Sequence, residues 1–235
     1  FFLYLIVSRL YGRKVGLLAS AFSALTVMQI QQSHFFTTDL FVNTFLFLAL
    51  VFAVKIVEWK GKDEKQETGN DEAPAGRNSL LVFQIIKHPL FYLSIGFGFA
   101  LGMGMASKIN AAAMAFVLPF AFFVRWLIYD RKKTLSADYW SLILAFLIAG
   151  GLATIISFRI FQPYAFDGIG LSEQWVKNIS EQRIQATGEA DLPWNLQWAR
   201  RSKLFSFENL TLWGLGLPLG ILAWAGFLLM GGRIL

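Results

Sequence analysis

Three short segments carry residue types that can work on a phosphate or a hydroxyl. "SHFFTTDLFVNTF" sets His34 and Asp39 five residues apart, just ahead of a long apolar run. "GFALGMGMASKINAAAMAF" holds Lys108 and Asn110 between two apolar runs. "RIFQPYAFDG" supplies Arg159, Gln162, Tyr164 and Asp167. A carboxylate can orient or deprotonate a hydroxyl, or hold a metal. An ammonium and a guanidinium neutralise phosphate through charge-assisted hydrogen bonds. In a low-dielectric setting such groups act more strongly than in water.

Each residue also has a local reading. Thr37, Thr38 and Asp39 are all N-cap types, and an acidic group suits the positive end of the helix that starts near Leu40. His34 alone is an interfacial hydrogen-bonder. Lys108 can snorkel to headgroups, although ionisable groups at membrane depth are functional candidates by default. Arg159 can bind headgroups without specificity. Gln162 precedes Pro163, which stops a helix, and Asp167-Gly168 marks a turn, so the segment also reads as an exit turn anchored by Tyr164 and Phe166. A divalent metal at His34 and Asp39 is the one cofactor these residues admit, and one His with one Asp is a sparse ligand set.

The elements that must position these groups are membrane helices. Of 235 residues, 56% are hydrophobic and 15% charged, against about 25% charged in soluble domains. The mean hydropathy is +0.53, and the chain has 24 Phe and 8 Trp. This composition predicts an all-α, multi-pass integral membrane protein. With no Cys, disulfides and thiolate metal sites are excluded. Nothing in the charge pattern points to nucleic acid.

Apolar runs predict a stub at 1–8 and six full spans near 15–31, 39–57, 89–107, 110–129, 140–159 and 213–232. Taken as one helix, 89–129 would be about 60 Å long, twice the apolar core, so a turn is expected near "GMGMASKIN". The Gly98-to-Gly102 spacing is read as close helix packing. The chain starts within an apolar run without Met and stops abruptly at "GGRIL", which predicts a piece of a longer protein.

Charge sets the expected sidedness. Arg9, Arg13, Lys14, Lys55, Lys60, Arg125, Arg131, Lys132, Lys133 and Arg233 flank one set of span ends, predicted to be cytoplasmic. The opposite set holds Asp39, Lys108 and the 160–212 loop, whose five cations (Lys177, Arg183, Arg200, Arg201 and Lys203) depart from the rule. A need for cations there would account for the exception. The segment 60–79 reads as a disordered cytoplasmic linker. Three parts are expected: a helical core over 1–159, an outer-face loop over 160–212 and a last membrane helix over 213–235. In the loop, 171–188 is predicted to be an amphipathic helix, opened by Ser172 and lying as a lid in the interface. "LPWNLQWARRSKLFSF" (192–207) offers Trp194 and Trp198 for headgroup anchoring, with sugar stacking as the alternative. Asn178 and Asn209 begin short glycosylation sequons.

"GRKVGLLASAFSALTVMQIQQSHFFTTDLFVNTFLFLALVFAV" resembles the third-and-fourth-span region of the GT-C glycosyltransferases, of the protein O-mannosyltransferase and aminoarabinose-transferase type. Asp39 takes the place of their acidic residue after an aromatic string. "GFALGMGMASKINAAAMAF" resembles their G-L-A-x-x-T-K-G segment, with Lys108 matching its Lys and Ile109 standing where they have Gly. The "QPYAF" exit is similar to that of bacterial and archaeal membrane proteins related to this superfamily. The likeness covers roughly residues 10–165, and the family's leading acidic residue is expected upstream of it.

The resemblance implies inverting transfer of a hexosyl or pentosyl group from a polyprenyl-phosphate donor to a hydroxyl acceptor. The site would face outward, or toward the periplasm, from a cell inner membrane or its equivalent. It implies catalytic roles for Asp39 and His34, and substrate binding by Lys108, Arg159, Gln162, Tyr164 and Asn110. Polyprenyl-phosphate sugar and membrane lipid are the implied partners, with an unidentified acceptor and room for a membrane-protein complex. A non-catalytic scaffold or flippase-associated lipid-binding protein is the rival reading. A transporter fits less well, because the polar groups gather at one face and no repeat is seen.

Overall fold

The computed structural model describes residues 1–35, 37–60, 85–131, 136–190, 193, 201–202 and 204–234. Outside the described residues fall most of the expected linker (61–79), Lys132, Lys133, Trp194, Trp198, Arg200 and Lys203. The side chain of Arg233 lies outside them too. What is described is helical nearly throughout, with one antiparallel pair of two-residue strands, β1 (Phe166–Asp167) and β2 (Gly170–Leu171).

The chain opens with α1 (Phe2–Tyr11), α2 (Arg13–Ala24) and α3 (Val27–Phe35). Then come α4 (Thr38–Glu58), α5 (Pro89–Ser107), a 3-10 segment (Ile109–Phe116) running into α6 (Val117–Arg125), and α7 (Ala137–Phe161). After the strands follow α8 (Glu173–Thr187), the short α9 (Phe205–Asn209) and α10 (Leu217–Ile234).

Four stretches are long and apolar enough to cross a membrane: α4, α5, Ile109–Asp130 and α7. At 1.5 Å per residue, the 21 residues of α4 reach about 31 Å, close to the thickness of the bilayer core. A fifth arises only if Phe205–Gly214 and Leu217–Met230 form one span, and these two meet at a bend of 119°. Among the described residues, four to five spans therefore replace the expected six.

Two of the expected spans differ, for local reasons. The run 15–31 divides into α2 and α3 at Leu25 and Thr26. There the Thr26 hydroxyl donates to the Phe22 carbonyl at 3.0 Å and its N–H turns to Ser23. Hydroxyls that bond back to the preceding turn compete with helix propagation, and neither piece alone crosses the core. The run 213–232 is broken at Gly216, whose φ of +80° suits glycine and ends the preceding turn. The two arms fold onto each other there: the Trp224 indole donates to Thr211 at 3.0 Å and its ring meets Phe207 at 4.7 Å.

Helix α5 is the centre of the bundle. Its Phe97, Ala100 and Leu101 are fully covered, with Ala49, Ile56, Phe122 and Phe146 around them. It runs antiparallel to α4, since Gly96 lies against Phe52 and Gly104 against Phe45 and Leu46. It runs parallel to α7, because a Cβ on Gly98 would overlap the Gly150 carbonyl and one on Gly102 would stand 2.5 Å from the Thr154 carbonyl. The Ser157 hydroxyl closes this contact by donating to the Phe99 carbonyl at 2.8 Å. The glycines thus let two backbones touch, which is how membrane helices associate when apolar burial alone cannot drive them together. The far side of α7 presents Leu144, Ile148, Leu152, Ile155, Ile156 and Ile160, all exposed, as a lipid-facing stripe.

These directions define two ends. The start of α4 and the C-terminal ends of α5 and α7 share one of them. Arg9, Lys55, Glu58, Arg125 and the start of α5 share the other. At that second end Arg125 is buried: it pairs with Asp130 at 3.2 Å, donates to the Trp59 carbonyl and lies over the Trp59 ring at 5.0 Å. The Tyr139 hydroxyl donates to the same carboxylate at 3.3 Å.

Candidate functional site

At the first end, the Lys108 ammonium donates to Asp39 Oδ1 at 2.6 Å, joining residues 69 apart in sequence. Each partner is placed by a helix terminus. Helix α4 begins at Thr38, with Thr37 as its extended N-cap residue, so Asp39 lies in the first turn, where the free N–H groups favour negative charge. The capping role expected of Asp39 is not the one observed. No side chain caps this helix: the Thr37 hydroxyl donates instead to Gln32 at 2.7 Å, and the Asp39 carboxylate is directed to Lys108.

Lys108 is the corner residue between α5 and the 3-10 segment. Its backbone is extended, at φ −157° and ψ 116°. Its N–H donates to Gly104 and its carbonyl accepts from Ala111, both at 2.9 Å. The backbone is thus fully engaged by the turn, and the side chain alone crosses to α4. Gly104 supports the approach, with Ala111, Leu46 and Phe45 packed around it. The two side chains are 44% and 39% exposed, so the pair is open to a ligand.

The other expected site residues stand apart from this pair. His34 is exposed on α3, and its Nδ1 meets the Ile30 carbonyl of its own helix at 2.9 Å. Asn110 is exposed in the first turn of the 3-10 segment, two residues beyond Lys108. Arg159 is exposed in the last turn of α7, its guanidinium over the Phe166 ring at 5.1 Å. Gln162 ends α7, its N–H donating to Phe158 at 2.8 Å and its carbonyl accepting from Ala165 at 3.1 Å. Tyr164 is 86% exposed. Among the described residues, no hydrogen bond or ion pair links any of these five to Asp39 or Lys108. Among the same described residues, three or more His, Cys, Asp or Glu do not gather as a metal site.

Helix α8 continues from this end. Ser172 stands at its N-cap position without a side-chain cap bond, and its N–H donates to Ala165 at 2.9 Å. Trp175 meets Phe158 at 5.9 Å, while Val176 and Ile184 of this helix are exposed. The buried Arg125–Asp130 pair at the opposite end, with the half-buried Tyr139 beside it, was not legible in the sequence. Arg125 looked like one more flanking cation, and the available signal was an Asp five residues after it at the close of an apolar run.

Compared with protein-family models, with curated proteins and with solved structures, the chain matches none.

Proposed function

We propose that this chain is the core of a GT-C-type membrane glycosyltransferase, moving a sugar from a polyprenyl-phosphate donor to a hydroxyl acceptor. Its reacting end is the Asp39 end, facing away from the cytoplasm. The supporting observation is the 2.6 Å Asp39–Lys108 pair at the mouth of two membrane-spanning helices. Such a pair holds an acid–base group and a phosphate-binding cation next to each other before substrate arrives.

The roles follow from charge. The donor phosphate competes with Asp39 for the Lys108 ammonium, and that competition frees the carboxylate. Asp39 then accepts the proton of the acceptor hydroxyl while the hydroxyl oxygen forms its bond to the anomeric carbon. The bond from that carbon to the phosphate oxygen breaks. Its electron pair leaves on the phosphate, where Lys108 offsets the new charge. Arg159 and Asn110, at the same end, are second-rank donors to the substrate.

The test uses membranes carrying the intact protein and a panel of polyprenyl-phosphate hexoses and pentoses, with release of polyprenyl phosphate measured by mass spectrometry. Asp39→Asn should lower turnover by about 10²–10⁴-fold, and Lys108→Gln by about 10²–10³-fold. Undiminished turnover in Asp39→Asn would remove the assignment. Donor binding with no turnover in the wild type would favour the scaffold reading.

A further inference from the structure

The opposite end carries a second polar feature that the proposed transfer does not use. A groove of ≈ 520 Å³ opens between the last turn of α4 and the first turn of α5. Among the described residues that line it, Arg9, Lys55 and Lys87 are the cations and Glu58 is the carboxylate. That carboxylate is already engaged by Arg9 at 3.3 Å. The remaining wall is aromatic and apolar, formed by Trp59, Pro89, Tyr92 and Leu93.

Trp59 is held firmly from behind, by the Arg125 guanidinium over its ring and by His88 at 4.8 Å. Below the groove, Tyr92 and Phe99 lie seven residues apart on one face of α5 and are 57% and 43% exposed. They mark an apolar track leading from the charged mouth into the membrane.

We propose that this groove binds the headgroup of an anionic glycerophospholipid, its phosphate among Lys55, Lys87 and Arg9 and its acyl chains along Tyr92 and Phe99. Basic recesses between membrane helices suit such headgroups. A free anion would be met by the cations but would gain nothing from the aromatic wall and the track. A zwitterionic lipid would use the track but brings a compensating cation to a site already rich in them. The volume takes a headgroup and leaves the chains outside.

The experiment uses the full chain in mild detergent, with phosphatidylglycerol, phosphatidylcholine or inorganic phosphate added, read by native mass spectrometry and by thermal shift. One retained phosphatidylglycerol and a raised Tm are expected, with little retention of phosphatidylcholine. Each cation removed should weaken retention about fivefold, so Lys55→Gln with Lys87→Gln should lose about 25-fold. Lys177→Gln, exposed on α8, should retain lipid as wild type does. Arg9→Gln serves if the double variant does not fold: it removes a cation, leaves Glu58 unpaired beside the phosphate and should weaken retention at least as much as one Lys. Equal retention of the two lipids overturns the proposal. So does full retention in a folded Lys55→Gln, Lys87→Gln variant, or displacement of the lipid by inorganic phosphate at equal concentration.

Discussion

The contact between α5 and α7 predicts a graded response to adding a single methyl group. In Gly98→Ala the new Cβ would overlap the Gly150 carbonyl and stand 3.1 Å from the Ala153 Cβ. A carbon and a carbonyl oxygen rest comfortably at about 3.3–3.6 Å. The obstructing atom is backbone within a helix, so it cannot rotate away, and the helices must part. A radial gap of about 0.5–1 Å forfeits roughly a quarter to a half of each pair attraction along the seam. Overpacking of a core ordinarily costs about 1–3 kcal/mol, and the rigid partner puts Gly98→Ala at the upper end, about 3 kcal/mol. For a chain of this length that lowers Tm by about 6–12 °C. Gly150→Ala meets Leu118 Cδ2 at 2.5 Å, the end of a flexible side chain, and the Ser94 carbonyl at 3.1 Å, a milder backbone clash than that at Gly98, and should cost about 1–2 kcal/mol. Gly151→Ala meets nothing within 4 Å and should be neutral or stabilising by up to about 1 kcal/mol, through helix propensity. Thermal unfolding of the three variants in one detergent reads the series. If Gly98→Ala melts with Gly151→Ala, the close approach of α5 and α7 is refuted.

Asp130→Ala strands the Arg125 charge in a buried site and should cost about 3–5 kcal/mol, whereas Tyr139→Phe removes one hydrogen bond and should cost about 1 kcal/mol. Thermal unfolding separates the two. A double-mutant cycle on Asp39 and Lys108 should give a stability coupling of only about 0.2–1 kcal/mol, because both side chains are well exposed. A loss of transfer far beyond that coupling would therefore come from chemistry rather than folding. Gly216→Ala, at a φ of +80°, should destabilise the α10 hairpin by about 1 kcal/mol, read as faster proteolysis near residue 216.

How far the sequence carries can be judged residue by residue. Apolar runs interrupted by polar ends are local properties, and four of them became helices close to where they were expected: 39–57 as Thr38–Glu58, 89–107 as Pro89–Ser107, 110–129 within Ile109–Asp130, and 140–159 within Ala137–Phe161. The turn at Lys108 was legible because the largely apolar stretch 89–129, as one helix, would be about twice as long as the membrane core is thick. The breaks at Thr26 and Gly216 were not, because a hydroxyl bonding back and a positive φ leave no trace in hydropathy. Nor was the isolation of His34, whose proximity to Asp39 in sequence suggested a shared role until its ring turned to Ile30.

Composition and run length alone determined that this is a helical protein suited to several membrane crossings, because transfer of side chains to lipid is nearly additive along the chain. Which charges meet was decided only by packing. Asp39 and Lys108 touch because α4 and α5 run antiparallel with Gly104 between them, and Arg125 is buried because Trp59 and Asp130 close over it. Both arrangements depend on helix direction and separation, which no single apolar run encodes: Gly104 leaves room for Phe45 and Leu46 of α4, and Gly98 and Gly102 bring α7 onto α5.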